Sequence, residues 1–181
     1  MSAIRRRILW SIALCLASTL IHAAHAQGSE SGMAPKFSDF PSLEGLSGPP
    51  VTIDLSSHHY ARSYRTTLRK AAANGPDFAG HYVVAWWGCG NECVRSLIVD
   101  LNTGQVYGLL GKEEPLDSSR GVDIQLASRL LIADPPCAED QSCLSEARAD
   151  IPVRYYVMED RGLRLIQEIP CRVANNGREC K

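Results

Sequence analysis

The residues from His81 to Trp87 are apolar on both of the faces that a β-strand presents. Successive side chains of a strand point to opposite faces, so a strand of this kind has to be covered on both sides. A sheet with one face in water would show alternating apolar and polar residues instead. The chain is therefore expected to build a sheet with this strand at its centre and packed layers on both faces.

The rest of the chain after this strand also shows a β pattern. Asn102-Thr103-Gly104 is typical of a tight turn with glycine at positive φ. Asp160-Arg161-Gly162 is expected to join the strands of a final hairpin. Strands are predicted at Val51–Leu55, His81–Trp87, Val94–Leu101, Gln105–Leu110, Val122–Leu126, Arg129–Ala133, Pro152–Glu159 and Leu163–Ile169.

One helix is predicted before most of these strands, over His58–Ala73, with Ser56 or Ser57 as the N-cap. Its core-facing residues follow a near-helical period, and an arginine face lies opposite them; the two sets are Tyr60, Tyr64, Leu68 and Ala71, and Arg62, Arg65 and Arg69. The predicted fold class is α+β. One N-terminal helix packs on a mostly antiparallel, curved β-sheet that is stapled by disulfides.

Residues 1–26 have the pattern of a signal peptide. Arg5, Arg6 and Arg7 form a basic start, and Ile8–Ile21 is an apolar run too short for a comfortable membrane span. Ala24-His25-Ala26 supplies the small residues of a cleavage site, so cleavage is expected near Ala26–Gln27. We expect a periplasmic or secreted protein with no transmembrane segment in the mature chain.

The mature chain is expected to hold a flexible arm at residues 27–50, rich in Ser, Gly and Pro, and a single globular domain at residues 51–181. Loss of the signal removes three of the 19 basic residues and leaves all 20 acidic ones, a net charge of −4. A mildly acidic chain without a long basic run does not favour nucleic-acid binding.

Six of the seven cysteines follow the expected cleavage site. An even number in an exported chain predicts disulfides, although the count alone allows several connectivities. The cysteines fall into three close pairs along the chain. We therefore predict the disulfides Cys89–Cys93, Cys137–Cys143 and Cys171–Cys180.

The stretch from Phe78 to Tyr107 carries a family resemblance. It contains a Phe-Ala-Gly-His-Tyr block, a Trp-Gly-Cys-Gly turn, a second nearby cysteine and an Asp…Thr-Gly…Val-Tyr ending. This pattern resembles a segment of uncharacterised bacterial exported or periplasmic proteins. The resemblance implies an exported, small, disulfide-containing and mostly β protein, and it implies no known activity.

His81 is the candidate for catalysis, since it lies near Asp77 with Glu92 at the far end of the same hairpin. A histidine oriented by a carboxylate can serve as a general base or a metal ligand. The alternative is a histidine within the sheet that hydrogen-bonds to a neighbour. Adjacent His58 and His59 point apart on the predicted helix, so no metal site or cofactor is predicted.

Cys89 and Cys93 invite a redox interpretation. Thioredoxin-type proteins place two residues between their cysteines at a helix N-terminus, which lowers the pKa of the first thiol. This chain has three intervening residues between two predicted strands. A stapled β-turn is the favoured interpretation.

Trp86 and Trp87 are adjacent in a strand, so their indoles should point to opposite faces. One is expected in the core and the other on a surface near the Cys89 turn, where Asn91 and Glu92 also lie. An exposed tryptophan beside a rigid loop is typical of a contact anchor.

We therefore expect a non-enzymatic binding or inhibitor-type module whose partner is an envelope protein. The alternatives are a hydrolase-like enzyme that uses His81 with a carboxylate, and a thiol–disulfide protein that uses Cys89 and Cys93.

Overall fold

The structure is a computed structural model that describes residues 33–91, 93–111, 114–135, 151–174 and 177–181. Within these ranges the chain forms one α-helix, α1 (Arg65–Ala73), and a short 3-10 helix at Phe37–Asp39. The strands are β1 (Tyr82–Gly90), β2 (Cys93–Asp100), β3 (Val106–Tyr107), β4 (Leu116–Ser118), β5 (Val122–Ile124), β6 (Leu130–Ala133), β7 (Val153–Glu159), β8 (Gly162–Ile169), β9 (Cys171–Ala174) and β10 (Gly177–Cys180).

The strands divide into separate sheets, whereas a single curved sheet was predicted. In sheet A, β1 pairs with β2, and β3 and β4 pair with the other edge of β2. Sheet B has the order β5-β6-β7-β8. β9 and β10 form a C-terminal hairpin, and every pairing between strands is antiparallel. The α+β class with mostly antiparallel strands is confirmed.

Sheet A is buried on both faces, as its sequence predicts. Val84 of β1 and Ile98 of β2 pack toward sheet B, against Leu131, Tyr156 and Met158. The opposite face packs against α1 through a second cluster that includes Val83, Ala85, Leu97, Val99 and Leu68. These side chains are almost fully buried. Alternate residues of one strand therefore serve two different cores.

Sheet B has a second buried face as well. Leu130, Val153, Tyr155 and Val157 point away from sheet A and pack with Cys171 of the C-terminal hairpin. Phe37 and Phe40, around the 3-10 helix, cover the same face. The layers therefore follow the order α1, sheet A, sheet B, and then the C-terminal hairpin with the 3-10 helix.

A buried ion pair lies beside the contact between the two sheets. Asp134 follows β6, is fully buried and has a positive φ of 55°. Its Oδ1 accepts hydrogen bonds from the backbone N–H groups of Ser119 and Arg120, and its Oδ2 lies 2.6 Å from Nη2 of Arg154. Arg154 of β7 also donates to the backbone carbonyl of Asp117 in β4. This network connects β4 of sheet A with β6 and β7 of sheet B.

The helix begins at Arg65, so the prediction of a helix from His58 is wrong at its N-terminal end. Ser56 and Ser57 do not cap it, because both hydrogen-bond to Asp54 and form a turn. Ser57 also accepts a hydrogen bond from the N–H of Val106 in β3. Serine hydroxyls compete with helical backbone bonds in this way, and here the turn is the preferred conformation.

Val51–Leu55 is not a strand, which corrects another prediction. It runs along the β2–β3 turn with isolated backbone bonds, from the N–H of Val51 to Leu101 and from the N–H of Asp54 to Gly104. Strand β3 is shorter than Gln105–Leu110 because the chain bends after Tyr107, where the N–H of Leu109 bonds to Glu114. Strands β4, β9 and β10 were not predicted.

Residues 33–50, the described part of the expected flexible arm, are hydrogen-bonded to the rest of the fold. The N–H of Ser42 bonds to the carbonyl of Ala127, and the N–H of Arg129 bonds to the carbonyl of Phe40. Ser47 donates to the side chain of Asn102 in the β2–β3 turn. The composition of this segment is that of a linker, but two phenylalanines fix it to sheet B.

Two of the three predicted disulfides, Cys89–Cys93 and Cys171–Cys180, are present. The first closes the β1–β2 hairpin and the second closes the C-terminal hairpin. The predicted pair Cys137–Cys143 and the predicted signal at residues 1–26 lie outside the described residues. Among the described residues, the single α-helix is too short to cross a membrane.

The β2–β3 turn gives a test of the fold. Gly104 has a φ of +79°, and a Cβ atom there would collide with the carbonyl oxygen of Thr52. Gly75 has a similar φ of +84° but open space around it. We expect Gly75→Ala to lower the free energy of unfolding by about 1 kcal/mol, from backbone strain alone. Gly104→Ala should lower it by about 3 kcal/mol, because the clash is added to the strain.

Urea denaturation of both variants measures the difference. Equal losses for Gly75→Ala and Gly104→Ala would mean that Thr52 does not lie against this turn.

Candidate functional site

The hairpin of β1 and β2 ends in a stapled turn. The two strands pair from Tyr82 opposite Asp100 to Gly88 opposite Val94, and an irregularity then brings Gly90 opposite Cys93. The Cys89–Cys93 disulfide spans this end, and Asn91 is exposed in the turn. Glu92 lies outside the described residues. The disulfide joins two strands, so it lacks the helix N-terminus that activates the thiols of thioredoxin-type proteins.

The two tryptophans point to opposite faces, as predicted. Trp87 packs on the α1 side, with its ring stacked on Tyr64 at a centroid distance of 3.8 Å. Trp86 is 65% exposed. A large aromatic side chain that stays in water on a regular strand is a feature of contact surfaces.

Strand β1 is an edge strand of sheet A, because β2 is its only partner in the described sheet. The prediction that this strand lies at the centre of the sheet is therefore wrong, since its side chains are buried by the layers on its two faces and not by a strand on each edge. Residues at odd positions bond toward β2, as shown by the bond from the N–H of Leu101 to the carbonyl of His81. Even positions point outward. Tyr82 satisfies its outward groups with Phe78 and Asp77, and the N–H of Val84 donates to Oδ1 of Asp77 at 2.9 Å.

Trp86 is the next outward position on this edge. By the same alternation its N–H and C=O groups point away from β2, and neither has a hydrogen-bond partner among the described residues. The free part of the β1 edge therefore begins at the outward carbonyl of Val84 and includes the backbone of Trp86, the most exposed aromatic residue of the strand.

Two cavities flank this edge, and Asp77, Val84 and Trp86 line both of them. The first, of about 340 Å³, lies toward sheet B and is also lined by Val94, Ser96, Arg120, Gly121, Val122 and Ile124. The second, of about 420 Å³, lies toward α1 and is also lined by Thr66, Thr67, Lys70, Ala71, Asn74 and Val83. We call the β1 edge at Trp86 together with these two cavities the Trp86 groove.

Asp77 contributes a carboxylate to the Trp86 groove. Burial of this group raises the pKa of Asp77, and the hydrogen bond from the N–H of Val84 opposes that rise. Asp77 was predicted to orient His81, and this prediction is wrong, since the carboxylate beside His81 is Asp100. The reason is local: Asp77 turns back to cap the free edge of β1.

His81 lies at the start of β1 and is 8% exposed. Its Nδ1 is 3.3 Å from the carbonyl oxygen of Glu44, and its Nε2 is 3.7 Å from Oδ1 of Asp100. Asp100 also accepts hydrogen bonds through Oδ1 from the N–H groups of Asn102 and Thr103, and so closes the β2–β3 turn. His81 therefore borders a carboxylate that is already committed to the fold.

Two tyrosines stand beside this histidine. The ring of Tyr82 is 4.1 Å from that of His81, and it meets Tyr107 edge-to-face at 6.3 Å. Burial, and then the negative charge of Asp100, raises the pKa of both tyrosines. A cavity of about 330 Å³ lies between these groups, with Leu43, Glu44, Ala79, Asn102, Thr103, Arg129, Met158, Glu159 and Asp160 in its walls. We call this cavity the His81 cleft.

The Phe-Ala-Gly-His-Tyr block has a structural explanation. Phe78 is fully buried, while Ala79 and Gly80 have positive φ values of 46° and 87°. The N–H groups of Ala79 and Gly80 bond to the loop at residues 125–128. A Cβ atom on Gly80 would collide with the carbonyl oxygen of Glu44. Each residue of the block therefore serves the junction of sheet A with its neighbours.

No protein-family model, curated protein or solved structure matches this chain. The resemblance of the Phe78–Tyr107 stretch to bacterial envelope proteins stays a prediction. In the part of the chain that the structure describes, no group of three or more His, Cys, Asp or Glu side chains is arranged to hold a metal ion. The function has to be argued from the geometry of the groove and the cleft.

Sequence reasoning missed Asp100 and Tyr107, and it missed the free edge of β1. The hairpin register contains a signal for Asp100, because pairing about the Cys89–Cys93 turn places Asp100 opposite Tyr82. The β2–β3 register contains a similar signal for Tyr107. Pairing across the β2–β3 turn places Tyr107 opposite Ile98, two residues before Asp100. The free edge carries no such signal, because local patterns do not say which strand lacks a neighbour.

The two tryptophans give a stability test. Trp87→Ala should lower the free energy of unfolding by about 3 kcal/mol, since it removes a packed indole from the α1 side. Trp86→Ala should change it by less than about 1 kcal/mol, because the side chain is mostly in water. Denaturant unfolding followed by circular dichroism measures both values. A Trp86→Ala variant that loses as much stability as Trp87→Ala would place Trp86 in the core.

Proposed function

We propose that this protein is an exported binding module, and that it takes up an extended segment of an envelope protein along the free edge of β1. The observation that carries this proposal is the unpaired backbone of Trp86 between two cavities. Disulfides persist in oxidising compartments, which supports the export part of the proposal. The module would have no catalytic role.

Strand addition explains the groove better than a flat contact does. An added strand forms main-chain hydrogen bonds with an exposed sheet edge, and its alternate side chains point to opposite faces. The Trp86 groove offers one cavity toward sheet B and another toward α1. Trp86 itself supplies apolar surface where the added strand would begin.

The edge of β1 is also ordered before any partner binds, because both of its ends are fixed. The disulfide lies beyond Gly88 and fixes the end of the hairpin, and β1 is anchored at its start by the bonds of Tyr82 to Asp77 and Phe78. A strand that is already ordered loses less conformational entropy on binding than a mobile loop does. Rigid presentation is typical of inhibitor-type modules.

The two alternative functions have weaker support. A hydrolase-like mechanism needs His81 to be oriented by a free carboxylate, but Asp100 is bonded to two backbone N–H groups of the turn. A thiol–disulfide exchange mechanism needs an activated thiol, but the Cys89–Cys93 pair joins two strands. Asp100 closes the β2–β3 turn and the disulfide closes the β1–β2 hairpin, so both arrangements have a structural role.

Hydrogen exchange tests the free edge without any partner. We expect the backbone N–H of Trp86 to exchange quickly, since it points outward, and that of Trp87 to be protected by its pairing with β2. The comparison uses amide exchange followed by nuclear magnetic resonance on the purified protein. Equal protection of the two amides would mean that the β1 edge is not free, and the proposal would fail.

Two substitutions of Trp86 then distinguish what its side chain contributes to binding from what the strand edge contributes. After a partner has been captured from an envelope extract and identified, Trp86→Ala should weaken its binding by about 2 kcal/mol, as expected of an interface anchor. Trp86→Pro should weaken it further, because proline also removes the outward N–H and is tolerated on an edge strand. Leu165→Ala is the matched control, since Leu165 is an exposed apolar residue on β8. Binding that is equally strong for Trp86→Pro and Leu165→Ala would rule out this edge.

A further inference from the structure

We infer that the cavity on the sheet B side of the Trp86 groove takes a glutamine side chain of the added strand. The hydroxyl of Ser96 would donate to the amide oxygen of that glutamine, and the carboxylate of Asp77 would accept from its NH2 group. This inference rests on the strand addition proposed above, and it names the residue that the edge of β1 selects.

Ser96 of β2 has a buried hydroxyl group without a partner. The residue is 1% exposed, and its Oγ has no hydrogen-bond partner among the described residues. Buried polar groups are nearly always hydrogen-bonded, and an unpaired one is costly. A serine hydroxyl can both donate and accept. The Ser96 hydroxyl is therefore available to a ligand that reaches it.

The side chain of Ser96 lies on the face of sheet A that borders this cavity. Ser96 is directly opposite Trp86 in the β1–β2 pairing, and residues directly opposite each other in an antiparallel pair share a face. Ile98, two residues further along β2, packs toward sheet B from the same face. Ser96 and Trp86 both line the cavity of about 340 Å³. A side chain that enters from the edge of β1 therefore approaches Ser96.

Asp77 supplies an acceptor in the same cavity, next to the edge of β1. Its Oδ1 accepts one backbone N–H of that strand. An ionised carboxylate can accept about four hydrogen bonds, so Asp77 can accept a further N–H from a ligand. Arg120 also lines the cavity, but its guanidinium donates to the backbone carbonyls of Asp134 and Ile151. The cavity therefore presents to a ligand the hydroxyl donor of Ser96 and the carboxylate acceptor of Asp77.

A primary amide matches this combination of donor and acceptor. It has N–H donors and a carbonyl acceptor on separate atoms, whereas a hydroxyl group has both on one oxygen. Lysine and arginine side chains only donate, so the O–H of Ser96 would stay without an acceptor. A carboxylate side chain only accepts, and the negative charge of Asp77 would repel it. An uncharged amide side chain is therefore the class that this cavity fits.

The distance to Ser96 favours glutamine over asparagine. Neighbouring strands lie about 4.8 Å apart, so an added strand would lie about 10 Å from β2, with β1 between them. Glutamine carries its amide on two methylene groups and asparagine on one, so glutamine reaches further across β1. The cavity also has apolar walls that suit these methylene groups, formed by Val84, Val94, Val122 and Ile124.

Three peptides that differ at one residue test the inference. The probes are the acetylated and amidated peptide Thr-Val-Gln-Val-Thr and the same peptide with glutamate or methionine at its centre, both similar to glutamine in length. Titration of the purified protein, followed by nuclear magnetic resonance, measures the three affinities. We expect the glutamine peptide to bind about ten-fold more tightly than either of the others, as the gain of hydrogen bonds in a buried site allows.

The outcomes separate this inference from the function proposed for the edge. Equal binding of the glutamine and methionine peptides would overturn the glutamine site and leave strand addition standing. Failure of all three peptides to bind would also overturn the glutamine site, and the amide exchange of Trp86 would then decide separately whether the edge is free.

Two serine variants connect the preference to one hydroxyl. Ser96→Ala should abolish the ten-fold preference for the glutamine peptide over the methionine peptide. Ser118→Ala is the matched control, because Ser118 is 4% exposed, its hydroxyl also has no partner among the described residues, and it lines neither cavity of the groove. Both variants should keep the melting temperature, since neither loses a hydrogen bond. A preference that survives Ser96→Ala, or that both variants lose, would overturn the inference.

Discussion

Burial of both faces of the β1–β2 hairpin is the constraint on which the rest of this structure depends. Val83 and Val84 are neighbours in the chain, yet one packs in the core with α1 and the other in the core with sheet B. Covering both faces contributes hydrophobic stabilisation on the order of 25 cal/mol per Å² of apolar area. The same arrangement places a helix on one side and a second sheet on the other, and the two cavities of the Trp86 groove lie beside the edge of β1, one toward each layer.

The parts of the fold that the sequence predicts are those that depend on near neighbours in the chain. Strand β7 follows from the apolar run at Pro152–Glu159, and the Cys89–Cys93 disulfide follows from the spacing of its cysteines. The start of α1 was not predictable in this way. Ser57 has good capping chemistry, but it bonds to Asp54 and to Val106 far along the chain, and that distant contact decides its conformation. The division into two sheets is likewise set by long-range packing.

The candidate sites were also predictable only where near neighbours in the chain decide the geometry. The opposite orientation of Trp86 and Trp87 follows from strand geometry, and the structure has it. The carboxylate beside His81 was assigned to Asp77, because Asp77 is nearer in the sequence, whereas the fold brings Asp100 there from β2. Which edge of a sheet stays open depends on every other strand, so no local pattern could indicate the free backbone of Trp86.

An open strand edge is a hazard, because it can pair with other copies of the chain, and natural proteins protect such edges. Here the protection is partial and local. Asp77 caps the amide of Val84, and Tyr82 is closed by the preceding loop, so the free segment begins only after the amide of Val84. An edge that is left open over so short a length, next to a disulfide that holds it in shape, is suited to one chosen strand and poorly suited to unspecific pairing.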